Sequence, residues 1–160
     1  MSSHQFDPQR DLRIQRVMHA PKERVWRAWT DPELLQKWWV PAPTVARIER
    51  FDPTAGGAFV TQMSDDGENF VPHTDGIFLL VEHESRIAFT NAISSSWHPA
   101  LPAPMGMTAE ITLSSRPEGT DYLAIVRHAD PQARAKHEEL GFYEGWGAVT
   151  EALANLSESL

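Results

Sequence analysis

The chain has no cysteine, which excludes a disulfide, a thiolate nucleophile and any Cys-ligated metal site, and leaves no requirement for an oxidising compartment. It is also short of positive charge: 14 Lys and Arg against 22 Asp and Glu give a formal net charge of −8. Nucleic acid is therefore not an expected partner, because phosphate binding draws its affinity from clustered cations and no basic run occurs. Long apolar runs are missing as well. None approaches the ~20 residues that span a bilayer, and the polar opening MSSHQFDPQRD lacks the apolar stretch of a signal peptide, so a cytoplasmic protein with no membrane partner is expected. Common catalytic signatures are absent: there is no GxSxG elbow, no GxxxxGK[ST] and no GxGxxG. The seven histidines show neither HxH nor HExxH spacing, so neither a metal nor a cofactor is expected. Ser94, Ser95 and Ser96 beside His98 come nearest to a nucleophile and base, but within a proline-rich stretch they read as polar loop.

What is present fits one domain. A chain of 160 residues buries about 70% of its unfolded surface, enough for a good core. Residues 1–9 read as a flexible N-terminal arm and 10–160 as the domain. Leu12, Ile14 and Met18 alternate with Arg13 and Gln15 as a first strand, and PKERVWRAWT follows as a short helix. A second helix starts at Pro32, capped by Thr30 or Asp31, with Thr30 and Glu33 at capping-box spacing; Pro41 and Pro43 stop it. Four of the six tryptophans fall between Trp26 and Trp39, which marks a dense packing centre.

From Thr44 onward the pattern changes to short alternating runs, read as strands at about 44–51, 57–64, 69–81, 85–93, 106–115 and 119–128. Asp65-Asp66-Gly67, His83-Glu84-Ser85 and Glu118-Gly119 supply hairpin turns, and Ala55-Gly56-Gly57 a tight backbone turn. Residues 91–106, rich in proline and serine, form a long loop of the kind that often covers a binding site. The last element is a helix from an N-cap at Asp130, with Pro131 at its first position, to about Leu156. As one piece it would be ~40 Å long at ~1.5 Å per residue. Phe142, Trp146, Val149, Leu153 and Leu156 share its core stripe. Gly141, Gly145, Ala148 and Ala152 lie beside that stripe, where glycine is disfavoured by roughly 1 kcal/mol relative to alanine unless something comes close to the backbone or a cavity lies next to it.

One strand, two short helices, six strands and a final helix make an α+β domain with helices on one face of an antiparallel sheet. The stretches APKERVWRAWTDPELLQKWW, FDPTAGGAF, DGIFLLVEHESRIAFT, EGTDYLAI and HEELGFYEGWGAVTEAL resemble, in order and over roughly residues 12–157, the START-like SRPBCC superfamily, in particular its heat-shock-protein-90 ATPase activator homologues. The resemblance implies a helix-grip (Bet v 1-like) fold, in which a seven-stranded curved sheet wraps the long C-terminal helix and leaves an apolar cavity between them.

Alternation places Phe78, Ile87, Phe89, Met107, Ala109, Ile111, Tyr122, Ala124 and Val126 on the sheet face toward that helix, with Trp97 on the long loop as a cover. Asn91 and His128 share these inward registers. Glu138, one turn before Phe142, is aimed at the cavity mouth or else paired with a surface cation. Phe78, Phe89, Asn91, Trp97, Met107, Tyr122, His128, Glu138, Phe142 and Trp146 are thus the candidate cavity residues. His73 and Asp75, at i and i+2, share one side of their strand. The expected function is binding of a small apolar or aromatic molecule. The resemblance leaves two alternatives open: an enzyme using Glu138, His128 or Asn91, as some relatives cyclise, dehydrate or hydrolyse in the same cavity, and a co-chaperone module. The chaperone-activating homologues carry an additional N-terminal domain, whereas about ten residues precede the first strand here. Exposed sheet edges leave room for a homodimer.

Overall fold

The computed structural model describes residues 5–160. Part of the expected N-terminal arm, residues 1–4, lies outside them; the rest is tied down at Asp7, whose carbonyl accepts from the Asp11 amide at 2.8 Å and whose amide donates to Asp11 Oδ2 at 2.7 Å. The elements run β1 (Asp11–Met18), α1 (Lys22–Thr30), α2 (Pro32–Leu35), β2 (Val45–Phe51), β3 (Ala58–Ser64), β4 (Val71–Glu82), β5 (Arg86–Thr90), β6 (Thr108–Arg116), β7 (Gly119–Arg127), α3 (Pro131–Glu139) and α4 (Phe142–Ser159). All seven strands belong to one antiparallel sheet ordered β1-β7-β6-β5-β4-β3-β2, so β7 crosses back to pair with β1 while the others form a meander. This is the seven-stranded α+β arrangement expected from the element order, with α4 packed on α1 and β1.

The alternation on β6 and β7 works as expected. Ala109, Ile111 and Leu113, with Tyr122, Ala124 and Val126 opposite them, are all buried. The inner layer is heavily aromatic: Phe59 stacks on Phe78 with centroids 4.9 Å apart, and Trp29 meets Trp38 edge to face at 5.0 Å. Such ring pairs add roughly 0.5–1.5 kcal/mol each beyond the area they bury. The Trp26–Trp39 region is thus the packing centre that its composition suggests, with Trp29 and Trp38 almost fully buried.

Three local expectations need correction. The terminal helix is two helices. Gly141 sits at φ 98°, a left-handed conformation that glycine adopts without a Cβ penalty, and it ends α3 before α4 restarts. Sequence periodicity runs through the break because Glu138 and Phe142 keep an i,i+4 spacing. α3 buries no residue and is held at its start by Asp130, whose side chain accepts from the Ala133 amide at 2.8 Å, and along its length by Arg134 Nε donating to Asp11 O at 3.0 Å. Of the two expected caps of α2, Asp31 is the one that forms, accepting from the Glu33 amide at 2.9 Å; the Thr30–Glu33 capping box does not, because Thr30 turns back to donate to Trp26 O. The strands flanking the long loop are shorter than expected, ending at Thr90 and resuming at Thr108, because the Asn91 side chain takes the Met107 amide for itself at 2.8 Å.

Candidate functional site

Between the sheet, α1 and α4 lies a cavity of about 200 Å³. α1 contributes Trp29; the turn after α2 contributes Trp38, Trp39 and Pro41; and α4 contributes Gly145, Trp146, Val149 and Thr150. The sheet adds His73 and Thr74 from β4, Met107 just before β6, and Tyr122 from β7. Four indoles and a phenol on so small a space make it an aromatic box with few polar groups, the usual make-up of a small-molecule pocket.

Most polar groups on the wall have an identifiable partner. Trp29 Nε1 donates to Tyr122 Oη at 3.0 Å, Trp38 Nε1 to Ala28 O at 3.0 Å, and Trp39 Nε1 to Thr74 Oγ1 at 3.4 Å. Thr150 Oγ1 returns its proton to Trp146 O within α4 at 2.6 Å. Burial pushes the Tyr122 phenol well above its ordinary range, so it stays protonated. His73 reaches the cavity through a bulge: Thr61 pairs with Thr74 and Gln62 with Pro72, which leaves His73 unopposed and separates it from the regular face it would share with Asp75. Its Nδ1 lies 3.1 Å from Thr61 Oγ1 and its ring meets Trp39 edge to face at 6.4 Å. Although the residue is exposed at the mouth, burial of the ring against these neighbours lowers its pKa and favours the neutral form.

Gly145 explains part of the small-residue stripe. A Cβ built there, or at Gly147, meets nothing within 4 Å, so neither glycine is required by a close backbone approach. At Gly145 the open space is the cavity itself. Gly141 has a separate role, ending α3 at positive φ.

The candidate residues divide into two groups. Met107, Tyr122 and Trp146 are on the cavity wall. Phe78 and Phe89 are core: the first is covered by Phe59 and Phe51, the second by Trp29, Trp39 and Phe59. Phe142 is buried against Trp146, with stacked centroids 5.6 Å apart, and does not line the box. Trp97 does not cover the cavity. At φ 68° it folds the loop the other way, its indole donates to Gly56 O at 2.9 Å, and it remains 67% exposed. Asn91 ties the loop's two ends together, donating to Met105 O and accepting from Met107 N, and does not enter the cavity. Glu138 pairs with Arg134 at 3.3 Å on the surface, the cation-paired alternative; the helix break removes it from the α4 stripe. Ser96 Oγ and His98 Nδ1 are 2.9 Å apart on the exposed loop, away from the cavity. Sequence reasoning missed His73 and Thr74 as wall residues, because nothing in the composition of β4 announces a bulge.

His128 is buried, but in a different place. It lines a second hollow of about 470 Å³ under the 91–106 loop, beside Ala92, Leu101 and Met105. Its Nδ1 is 2.8 Å from Arg10 O, so that nitrogen donates; its Nε2 is 2.8 Å from His137 Nδ1, close enough for the two rings to share one hydrogen bond. Burial, and secondarily the charge of His128, lowers the His137 pKa to about 4. The unfolded chain therefore binds a proton at this ring near pH 6.5 that the folded chain refuses until about pH 4. Stability from this pair is full above pH 6.5 and is lost as pH falls toward 4. The midpoint of thermal unfolding is expected to fall over that window, and to fall less steeply in His137→Asn; equal slopes would exclude this origin. Among the described residues no three His, Asp or Glu side chains converge as metal ligands, and no helix is long and apolar enough to cross a membrane.

Comparison with known proteins places this geometry in a family. Residues 19–158 match the model described as Activator of Hsp90 ATPase homolog 1-like protein. Among solved structures, the chain is similar to a protein of Nitrosomonas europaea, with 39% identity, a TM-score of 0.87, and 96% of this chain and 97% of that one covered. A Chromobacterium violaceum protein is similar at 28% identity and a TM-score of 0.73, with 93% and 97% covered. An AHSA1-like protein from Aeromonas hydrophila shares the fold at 21% identity and a TM-score of 0.67, with 93% and 92% covered. Comparison with curated proteins gave no match. With the sheet order, the terminal helix and a family match over most of its length all in agreement, the chain belongs to the Activator of Hsp90 ATPase homolog 1-like proteins, on the helix-grip SRPBCC fold.

Proposed function

We propose that this protein binds a small apolar or aromatic molecule in the cavity between the sheet and α4. The observation that carries this reading is the open box of about 200 Å³ walled by Trp29, Trp38, Trp39, Tyr122 and Trp146, with a glycine, Gly145, where a side chain would fill it. An apolar cavity of ~150 Å³ accepts benzene, so this one has room for a single substituted ring. Binding there replaces poorly solvated space with ring contacts and is favourable by about 25 cal/mol per Å² of apolar surface removed from water. The groups that would support an enzyme, Asn91, His128 and Glu138, are engaged elsewhere, and the family's description names an ATPase activator without specifying a ligand.

The test is a titration of isotope-labelled protein with ethylbenzene, followed at the indole N–H resonances. Saturable shifts are expected at Trp29, Trp38, Trp39 and Trp146, with little change at Trp97. Shifts that never saturate, or that appear equally at Trp97, would refute the assignment.

A further inference from the structure

We infer that Tyr122 is a specificity-determining donor, and that the preferred ligand is a neutral aromatic molecule bearing one hydrogen-bond acceptor; this rests on reading the cavity as a ligand site. The argument begins with the direction of one hydrogen bond. An indole N–H can only donate, so in the 3.0 Å contact between Trp29 Nε1 and Tyr122 Oη the phenol oxygen is the acceptor. The phenol's own proton remains uncommitted. Among the described residues no acceptor meets it, although Tyr122 is only 2% exposed and lines the cavity.

A buried hydroxyl without an acceptor is an uncommon and unfavourable arrangement, and a ligand oxygen or nitrogen placed within the box would relieve it. Three other polar groups of the wall are already committed. Trp38 and Trp39 have their N–H groups on Ala28 O and Thr74 Oγ1, and Thr150 has its proton on Trp146 O. Hence the Tyr122 hydroxyl, fixed in position by Trp29, is the buried donor of a mostly apolar wall, while the N–H of the half-buried Trp146 has no partner among the described residues.

The same wall discriminates against ionised ligands. No lysine or arginine lines the cavity, and the ionisable groups that do, Tyr122 and His73, are both held toward their neutral forms by burial. A carboxylate entering it would lose its hydration without gaining a counter-charge, which is strongly unfavourable. A ketone, ester or ether on a single ring satisfies the geometry.

Acetophenone, ethylbenzene and benzoate, which resemble one another in size, separate these effects. Wild-type protein is expected to bind acetophenone about three- to tenfold more tightly than ethylbenzene, the range of one net hydrogen bond, and benzoate most weakly. The carbonyl stretch of bound acetophenone is expected at lower wavenumber than in a hydrocarbon solvent. In Tyr122→Phe the ratio of the two affinities should fall to about one. A preference that persists in Tyr122→Phe, or an unshifted carbonyl stretch, would overturn the inference. If that variant fails to fold because Trp29 has lost its acceptor, the wild-type affinity ratio and the infrared shift still decide. Ethylbenzene binding without any advantage for acetophenone removes the role of Tyr122 and leaves the cavity reading intact. If no probe binds, the cavity reading falls and this inference with it.

Discussion

Gly145→Leu should abolish saturable binding of ethylbenzene and acetophenone while leaving the protein folded and more stable than wild type. The position faces the cavity, and beyond the local helix backbone no atom lies within 4 Å of the point where a Cβ would stand to obstruct a side chain. Leucine in a helix is favoured over glycine by about 0.8 kcal/mol, and burying its side chain against Trp29 and Trp146 contributes a further ~1.5–3 kcal/mol. The side chain then occupies the space a ring would take. Chemical denaturation alongside the titration checks both halves: a stabilised variant that still binds would mean the ligand site is elsewhere, and a destabilised one that the space beside α4 is not open. Few substitutions remove a function by improving packing. This one is expected to do so because the side chain would fill the proposed ligand site.

The opposite response is expected at Gly76. A Cβ there would collide with the backbone carbonyl oxygen of Thr90 and come within 3.2 Å of Asn91 Cα. Both neighbours are backbone at the β4–β5 pairing, so no side-chain rotation relieves the contact; Ile77 pairs with Thr90 in the ladder itself. Overpacking of this kind costs about 1–3 kcal/mol when side chains can yield, and a backbone collision belongs at the upper end. Gly76→Ala should therefore lower stability by about 3 kcal/mol and the midpoint of thermal unfolding by roughly 10 °C, given ~2–4 °C per kcal/mol for a chain of this size. Gly147→Ala, where a Cβ meets nothing within 4 Å, is the internal control and should stabilise the helix by about 1 kcal/mol. If both variants shifted stability in the same direction, the steric account of Gly76 would be wrong.

The glycines also show what a sequence reveals and what it conceals. Periodicity is enough to place Met107, Tyr122 and Trp146 toward the interior, because a residue's side of a strand or helix depends on spacing alone. The crowding of Trp26, Trp29, Trp38 and Trp39 likewise announces a packing centre. It does not announce that three of these rings stop short of filling the interior and wall a space, since whether a core is full depends on the summed shapes of residues far apart in the chain. The α3–α4 break escapes for a different reason. A left-handed Gly141 leaves the spacing of its neighbours unchanged, so the pattern remains helical where the chain is not. Trp97 and His73 are lost to backbone conformation, a positive φ in one case and a bulge in the other. Asn91 would have the inward register expected of it, but the strand ends at the residue before it and its amide becomes a clasp for the loop.

The arrangement of the tryptophans has an optical consequence. Trp29, Trp38 and Trp39 lie with ring centroids 5.0–5.6 Å apart, and Trp146 faces the same space across the cavity. At such separations an absorbed photon does not stay on one indole, so emission from these four rings is expected to be a collective signal from the cavity wall, with the buried Trp26, which does not line it, as a separate contribution. Trp97, exposed and outside this group, emits alone and to the red. The intrinsic fluorescence of the unmodified protein is thus expected to separate into a solvent-facing component and a blue component that a guest molecule would alter, which would make occupancy measurable without a label.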